Sequence, residues 1–298
     1  MAQLIVTVKR LNRRSSVPRN FTDQNIIGTV SKGFRFEGTE VAGINVSLGK
    51  WYEDGQGYYY WGGGLLVLDP PLGVITNIKG LPINLPMNYR TGIDISHHNN
   101  LPDWNAIKTA GISFCYIKLS EGVGTPDNKA NLNAAAAKAS GVKTGFYHFC
   151  RPDSRNGGTV INDATAEAQY VLSRINTIET KASLPLVLDL EDQQNWDTPL
   201  NRADYLGWIN TFIETIIQAT NIPPMIYSRK EYLDRILPPD HDLGNYKLWI
   251  SRYGLKDCIK VLCPIGWKEW AMWQYTEDGA IGNNSKLDIN ILKDPTLF

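Results

Sequence analysis

From Tyr89 onward the chain alternates short apolar runs with segments of helical period, and this alternation restricts the fold more than any other feature. Apolar runs at 92–96, 113–119, 143–149, 184–191, 224–228, 246–251, 269–275 and 287–291 read as strands. Segments at 103–110, 128–139, 164–176, 202–219 and 230–236 carry helical patterns between the first six of them. Strand–helix alternation over ~200 residues implies a parallel sheet, and a run of eight strands predicts closure into a barrel. The last three strands have short, non-helical connections. The expected fold class is therefore α/β, an irregular TIM-like (β/α)5(β)3 barrel.

Before residue 70 the character differs. Short runs at 4–8, 26–30, 33–37, 51–53 and 58–61 are punctuated by glycines and show no helical period. Such spacing predicts a small all-β barrel. A stretch rich in Pro and Gly follows. The expected organisation is a first domain at 1–70, a linker at 71–88 and the α/β barrel at 89–298.

Bulk properties exclude some classes of function. The formal net charge is zero, which removes the simplest electrostatic case for nucleic acid or an anionic membrane surface. No run approaches the ~18 apolar residues that would cross a bilayer, so no membrane insertion is expected. The opening segment, Met1 to Arg10, reads as a strand and not as a signal peptide. The expectation is a soluble protein, made without a classical leader, that reaches any target outside the cytoplasm by release or delivery. A monomer is expected. Cys115, Cys150, Cys258 and Cys263 show no paired metal-ligand spacing. Cys258 and Cys263 stand close enough to bridge a local loop, but free buried thiols are expected.

Four acids occupy the ends of three predicted strands: Asp94, Asp189, Glu191 and Asp288. Side chains alternate faces along a strand, so Leu186, Leu188 and Leu190 share one face while Asp189 and Glu191 share the other. Positions two apart are roughly 6–7 Å between α-carbons, a spacing that lets two carboxyl groups work on one glycosidic bond. Asp94 lies between Ile93 and Ile95, and Asp288 between Leu287 and Ile289, in the same phase. In barrels of this kind the site forms at the carboxyl ends of the strands, which is where all four acids fall. Charge at the end of a core strand costs stability, and the cost here reads as functional.

The neighbouring residues carry a resemblance. Gly92-Ile93-Asp94-Ile95-Ser96-His97-His98-Asn99, Ile117-Lys118-Leu119-Ser120-Glu121-Gly122 and Gly145-Phe146-Tyr147-His148-Phe149 resemble successive strand motifs of glycoside hydrolase family 25. Leu188-Asp189-Leu190-Glu191, Trp273-Gln274-Tyr275-Thr276 and Leu287-Asp288-Ile289-Asn290 continue the series in order. The family comprises lysozymes of the Chalaropsis type and many bacterial and phage lytic enzymes. The resemblance implies a partner, peptidoglycan, and a reaction, hydrolysis of the β-1,4 bond from N-acetylmuramic acid to N-acetylglucosamine. It implies Glu191 as general acid, with Asp189 as nucleophile or as stabiliser of the substrate's own 2-acetamido group. Asp94 and Asp288 match supporting acids. Two other readings stay open: a catalytically silent peptidoglycan-binding protein, and a hydrolase of chitin-like glycans.

Tyr147 shares the inward phase and either hydrogen-bonds the acetamido group or fills the barrel. Trp273 and Gln274 follow a strand into the same mouth, Trp273 as a sugar platform. His97 and His98 invite a metal, but no third ligand stands at a fitting spacing, so neither metal nor cofactor is expected. Lys118 either neutralises an acid or lies on the surface; the first requires Tyr116 to face inward too. Residues 254–267 match no family motif. In the first domain, Leu11-Asn12-Arg13-Arg14-Ser15, Lys50-Trp51-Tyr52 and Tyr58-Tyr59-Tyr60-Trp61-Gly62 resemble bacterial Src-homology-3-like modules, which implies a cell-wall-binding domain.

Overall fold

The apolar runs after Tyr89 form strands in the computed structural model, which describes residues 2–20, 24–41, 49–68, 89–99, 103–192, 200–255 and 257–293. The chain divides into two units, Met1–Ile75 and Thr76–Phe298. The stretch expected to be a linker, 71–88, lies outside the described residues.

The first unit contains strands β1 (Ala2–Val6), β2 (Arg10–Arg14), β3 (Ile26–Ser31), β4 (Arg35–Val41), β5 (Trp51–Glu53), β6 (Tyr59–Trp61) and β7 (Leu65–Leu68). They form one antiparallel sheet in the order β3-β2-β6-β5-β4-β1-β7. Val6, Leu11, Val30 and Tyr60 make its buried core. β2 was not legible as a strand because Arg10, Arg13 and Arg14 break the apolar alternation; Leu11 is its one apolar residue in the core.

The second unit runs β8 (Arg90–Ile95), α1 (Trp104–Thr109), β9 (Phe114–Glu121), β10 (Thr125–Pro126), α2 (Ala130–Ala139), β11 (Lys143–Phe149), α3 (Val160–Thr177), β12 (Val187–Asp189), α4 (Arg202–Thr220), β13 (Met225–Arg229), α5 (Lys230–Ile236), β14 (Leu248–Ser251), β15 (Met272–Ile281) and β16 (Asn284–Leu292). The sheet order is β10-β9-β11-β12-β13-β14-β15-β16-β8, and β8 also pairs with β9. β10 is a two-residue appendage on β9, so the other eight strands close on themselves into a barrel. Strands β8, β9 and β11 through β15 pair in parallel around the wall, while β16 is antiparallel to both β15 and β8.

Local chemistry sets the helix limits. The Asp103 carboxylate accepts from the N–H groups of Asn105 and Ala106 and starts α1. Thr159 caps α3 in the same way, which is why that helix begins several residues before its expected start at 164. α4 opens on Asn201 and ends at Asn221 in the left-handed conformation, with φ of 57°.

Inside the barrel, side chains of alternate positions stack in layers. Phe114, Val187, Met225, Met272 and Leu292 fill the lower layer, and Tyr116, Tyr227 and Trp249 form an aromatic layer. Two glycines make room for it. A Cβ on Gly145 would stand 2.3 Å from the Tyr116 ring, and one on Gly92 would stand 2.2 Å from the Phe114 ring. Above the aromatics the inward positions turn polar: Asp94, Asp189, Gln274 and Asn290 are all buried.

Two strands depart from expectation. The run expected at 184–191 is a strand only over Val187–Asp189, although Leu190 still donates its N–H to Tyr227 of β13. The run expected at 269–275 begins at Met272 and continues to Ile281, because its partner β16 supplies hydrogen bonds to residues whose side chains show no apolar pattern. None of the four cysteines is in a disulfide; Cys115, Cys150 and Cys258 are buried and Cys263 is half-buried.

Candidate active site

A cavity of about 490 Å³ opens at the carboxyl ends of the strands, and Asp94, Asp189, Glu191 and Asp288 all line it. β8 contributes Asp94, β12 contributes Asp189, and β16 contributes Asp288. Glu191 follows the end of β12; Ser228 of β13 donates its hydroxyl to the Leu190 carbonyl at 2.6 Å and holds that extension against the wall. A second cavity, about 620 Å³, lies at the amino ends of β14 and β15 and shares no lining residue with the first.

Asp189 and Glu191 are hydrogen-bonding neighbours. Burial, and then the charge of Glu191, pushes the Asp189 carboxyl well above the usual range. Burial also raises Glu191, against the opposing pull of its hydrogen bond to Asp189 and of the Arg229 and Lys118 cations. Each of the two carboxyls shifts the titration of the other. Asp189 Oδ1 is buried and has no hydrogen-bond partner.

Asp94 is embedded in donors. Gln274 Nε2 donates to its Oδ2 at 2.9 Å and Asn290 Nδ2 donates to the same oxygen at 2.7 Å. The amide oxygens are occupied as well: Tyr227 and Tyr253 hydroxyls each donate to Gln274 Oε1 at 2.7 Å, and Trp249 Nε1 donates to Asn290 Oδ1 at 2.9 Å. Burial raises the Asp94 carboxyl to about 6, with the two amide hydrogen bonds opposing the rise. Asp288 lies across from Asp94 and is pushed up to about 9, first by burial and then by the Asp94 charge.

Lys118 lines the cavity, is 8% exposed, and donates from Nζ to Glu121 Oε2 at 2.7 Å. Tyr116 faces inward with it, so the condition for Lys118 to act on the acids is met. Tyr147 lines the cavity too. Burial and the charges of Asp94, Asp189 and Asp288 push its phenol well up, so it stays a hydrogen-bond donor.

Trp273 is a correction. It is fully buried, does not line the cavity, and donates its indole N–H to the Arg252 carbonyl at 2.8 Å. Adjacent residues on a strand face opposite sides, so with Gln274 turned inward Trp273 must pack outside the barrel wall. The aromatics that do line the cavity are Tyr147, Phe149, Tyr227, Trp249 and Tyr253. Gln274 lines the cavity, is only 3% exposed, and donates one amide N–H to Asp94.

The two histidines have different partners. His97 is paired through Nδ1 with Asp127 Oδ2 at 2.9 Å, while His98 lines the cavity. Among the described residues one group has a metal-like composition: His148, Cys150 and Glu167, all buried. His148 faces away from the cavity, in the opposite phase to Tyr147. Its Nε2 meets Glu167 Oε1 at 2.9 Å, and its Nδ1 meets Ser120 Oγ at 2.9 Å. These bonds tie β9, β11 and α3 together.

Sequence reasoning missed Asn290, Tyr227, Trp249, Tyr253, Arg229 and Glu277 as site residues. Strand phase would have found Tyr227, which stands opposite Asp189 in the β12–β13 register. It would also have found Asn290, two residues from Asp288. Tyr253 lies beyond the end of β14, where no periodicity applies.

A sequence profile for the family described as Glycosyl hydrolases family 25 matches residues 93–284. The chain is 29% identical over 198 residues to lysozyme M1 of Streptomyces globisporus, covering 65% of this chain and 64% of that protein. It is 27% identical over 199 residues to the autolytic lysozyme of Clostridium acetobutylicum, covering 65% and 52%. It thus spans less than two thirds of the length of either curated relative. Among solved structures it is similar to a bacterial lysozyme from Streptomyces coelicolor, with a TM-score of 0.60 and 27% identity over 70% of this chain and 94% of that one. A family GH25 lysozyme from Aspergillus fumigatus aligns with a TM-score of 0.59 and 26% identity over 70% and 95%.

Proposed function

The chain belongs to glycosyl hydrolases family 25, and on that premise we propose that it is a muramidase, cleaving the β-1,4 bond from N-acetylmuramic acid to N-acetylglucosamine in peptidoglycan. The observation that carries this reading is the contact between the Asp189 and Glu191 carboxyls in the acidic cavity. In this reading Glu191 is the general acid. Burial raises its proton affinity, the direction that a proton donor to the leaving oxygen needs. Carboxyls near enough to act on each other are nearer than a pair that must hold a water between them, an arrangement that suits retention of anomeric configuration.

Retention needs a nucleophile on the far side of the anomeric carbon. The unpartnered Asp189 Oδ1 favours the substrate's own 2-acetamido group in that role. A buried acceptor without a donor costs free energy, and an acetamido N–H supplies the donor. Asp189 then orients the acetamido group and stabilises the oxazolinium it becomes. Tyr147, held protonated, donates to the acetamido oxygen.

The first unit serves in this reading as a Src-homology-3-like, wall-binding module. Trp61 and Phe34, 37% and 38% exposed, offer it apolar contact surface. Holding the barrel near its polymer raises effective substrate concentration with no new contact in the cavity.

The test is to incubate purified protein and a Glu191→Gln variant with peptidoglycan sacculi and identify released sugars by mass spectrometry. Muramic-acid reducing ends from the wild type, reduced about a thousandfold in the variant, are expected. Equal release by both would remove Glu191 from the mechanism. Release by neither, with both pelleting on sacculi, would leave a binding protein.

A further inference from the structure

Among the described residues no cation is set against Asp94; the cations of the site, Lys118 and Arg229, act on Asp189 and Glu191. The ionisable groups that do face Asp94 are acids, phenols and a thiol: Asp288 from β16, Asp189 and Glu191 at the end of β12, Tyr147 from β11, Tyr227 from β13, Tyr253 after β14 and Cys115 from β9. Every one of these disfavours a negative charge on Asp94 or is indifferent to it. Its ionisation must then be held by neutral hydrogen bonds.

The direction of those bonds is set one layer further out. An indole N–H can only donate, so the atom of Asn290 that meets Trp249 Nε1 at 2.9 Å must be the amide oxygen. The Asn290 NH2 group is thereby forced toward Asp94 Oδ2, and a fixed donor favours a carboxylate over a carboxylic acid. Gln274 repeats the arrangement. Two phenols converge on its Oε1, each kept protonated by burial, and its NH2 group is left to donate to the same Asp94 oxygen. The pattern takes five side chains from β13, β14, β15, β16 and the segment after β14, and its two inner hydrogen bonds, from Gln274 and Asn290, end on one oxygen atom, Asp94 Oδ2.

We propose that Trp249, Tyr227 and Tyr253 are positioning residues that act through Asn290 and Gln274 to keep Asp94 the standing anion of the cavity, leaving its neighbour Asp288 as the acid that retains a proton. The catalytic consequence rests on the muramidase reading, whereas the charge assignment does not. An anion fixed at Asp94 and a neutral Asp288 give the cavity an asymmetric floor. The standing charge raises the proton affinity of Asp189, the partner of Glu191, while the cross-strand repulsion between Asp94 and Asp288 is relieved.

The test uses protein labelled with 13C at the aspartate carboxyls, with the Asp94 resonance identified by its loss in Asp94→Asn. The wild type, Tyr253→Phe and Tyr227→Phe/Tyr253→Phe are titrated by NMR, and kcat/KM on sacculi is followed over the same pH range. The Asp94 midpoint is expected to lie near 6 in the wild type. It should climb by about one pH unit in the double variant as donors to Gln274 are lost, and the acid limb of kcat/KM should move with it. A general packing defect would lower activity without moving that midpoint. Tyr253 is 37% exposed, so Tyr253→Phe folds even if the double variant does not, and an upward shift in it alone supports the proposal. An Asp94 midpoint unchanged in every folded variant, or an Asp94 that is neutral while Asp288 is ionised at neutral pH, overturns it. A wild type that titrates as expected but releases no sugar supports the charge assignment and sinks only the muramidase reading.

Discussion

Asp288 stands directly opposite Asp94 across the antiparallel pairing of β16 with β8. Like charges at facing positions of a sheet repel, and here the repulsion adds to burial in raising Asp288 to about 9. An acid whose folded-state pKa is raised binds more protons when folded than when unfolded, so stability falls as pH rises from about 4 toward that value. The Asp288→Asn protein should lose much of this slope and be more stable than wild type by about 1–2 kcal/mol at pH 8. Urea midpoints measured from pH 5 to pH 9 check this; parallel curves for the two proteins would show Asp288 ionised throughout.

Tyr147 separates a hydrogen-bonding role from a space-filling one. Tyr147→Phe keeps the ring and removes the donor, so kcat/KM on sacculi should drop about tenfold, the worth of one hydrogen bond, with the melting temperature nearly unchanged. Unaltered kinetics would reduce the residue to barrel filling.

Trp273 packs behind the wall with Trp270 and Tyr275. Trp273→Phe should therefore lower the melting temperature by a few degrees through lost packing and leave KM for sacculi where it was. A raised KM in a protein of wild-type stability would return Trp273 to the sugar-binding surface.

Gly145 lies directly beneath the Tyr116 ring. Gly145→Ala forces a methyl group into that ring and should cost about 1–3 kcal/mol as overpacking. Because Tyr116 stacks against Trp249, with centroids 5.1 Å apart, the cost should be accompanied by loss of activity. Chemical denaturation alongside sacculus release measures both.

The His148–Glu167 pair is buried on both sides. Glu167→Ala leaves the imidazole without its acceptor, and a loss of about 3 kcal/mol is expected. Thermal melts of the variant decide whether this cluster is the brace that its contacts with three elements imply.

Much of the barrel could be read from the chain because strand alternation is a local property. The phase of Asp94 among isoleucines and of Asp189 among leucines is visible within five residues, and the structure places those acids on one cavity wall. Trp273 was misread for a reason of the same kind. Two neighbours on a strand cannot both face inward, and which one does depends on the register of β15 against β14 and β16, set by distant residues. The hydrogen bonds that hold Asp94 were illegible in principle: Gln274 lies 180 residues from it, and Asn290 lies 196. β10 was missed because two residues leave no pattern, and the extension of β15 because Thr276, Glu277 and Asp278 carry no strand signal of their own.

The antiparallel seam also fixes an order of events during synthesis. Asp94 emerges early from the ribosome, but the carboxyl that faces it and the amide that steadies it both belong to β16, the last strand of the barrel. A nascent chain that has not passed residue 292 has an open barrel wall and an incomplete cavity floor. For a protein whose proposed target is the wall of a cell, the seam acts as a safety catch: no growing or truncated fragment that stops short of β16 can assemble the site.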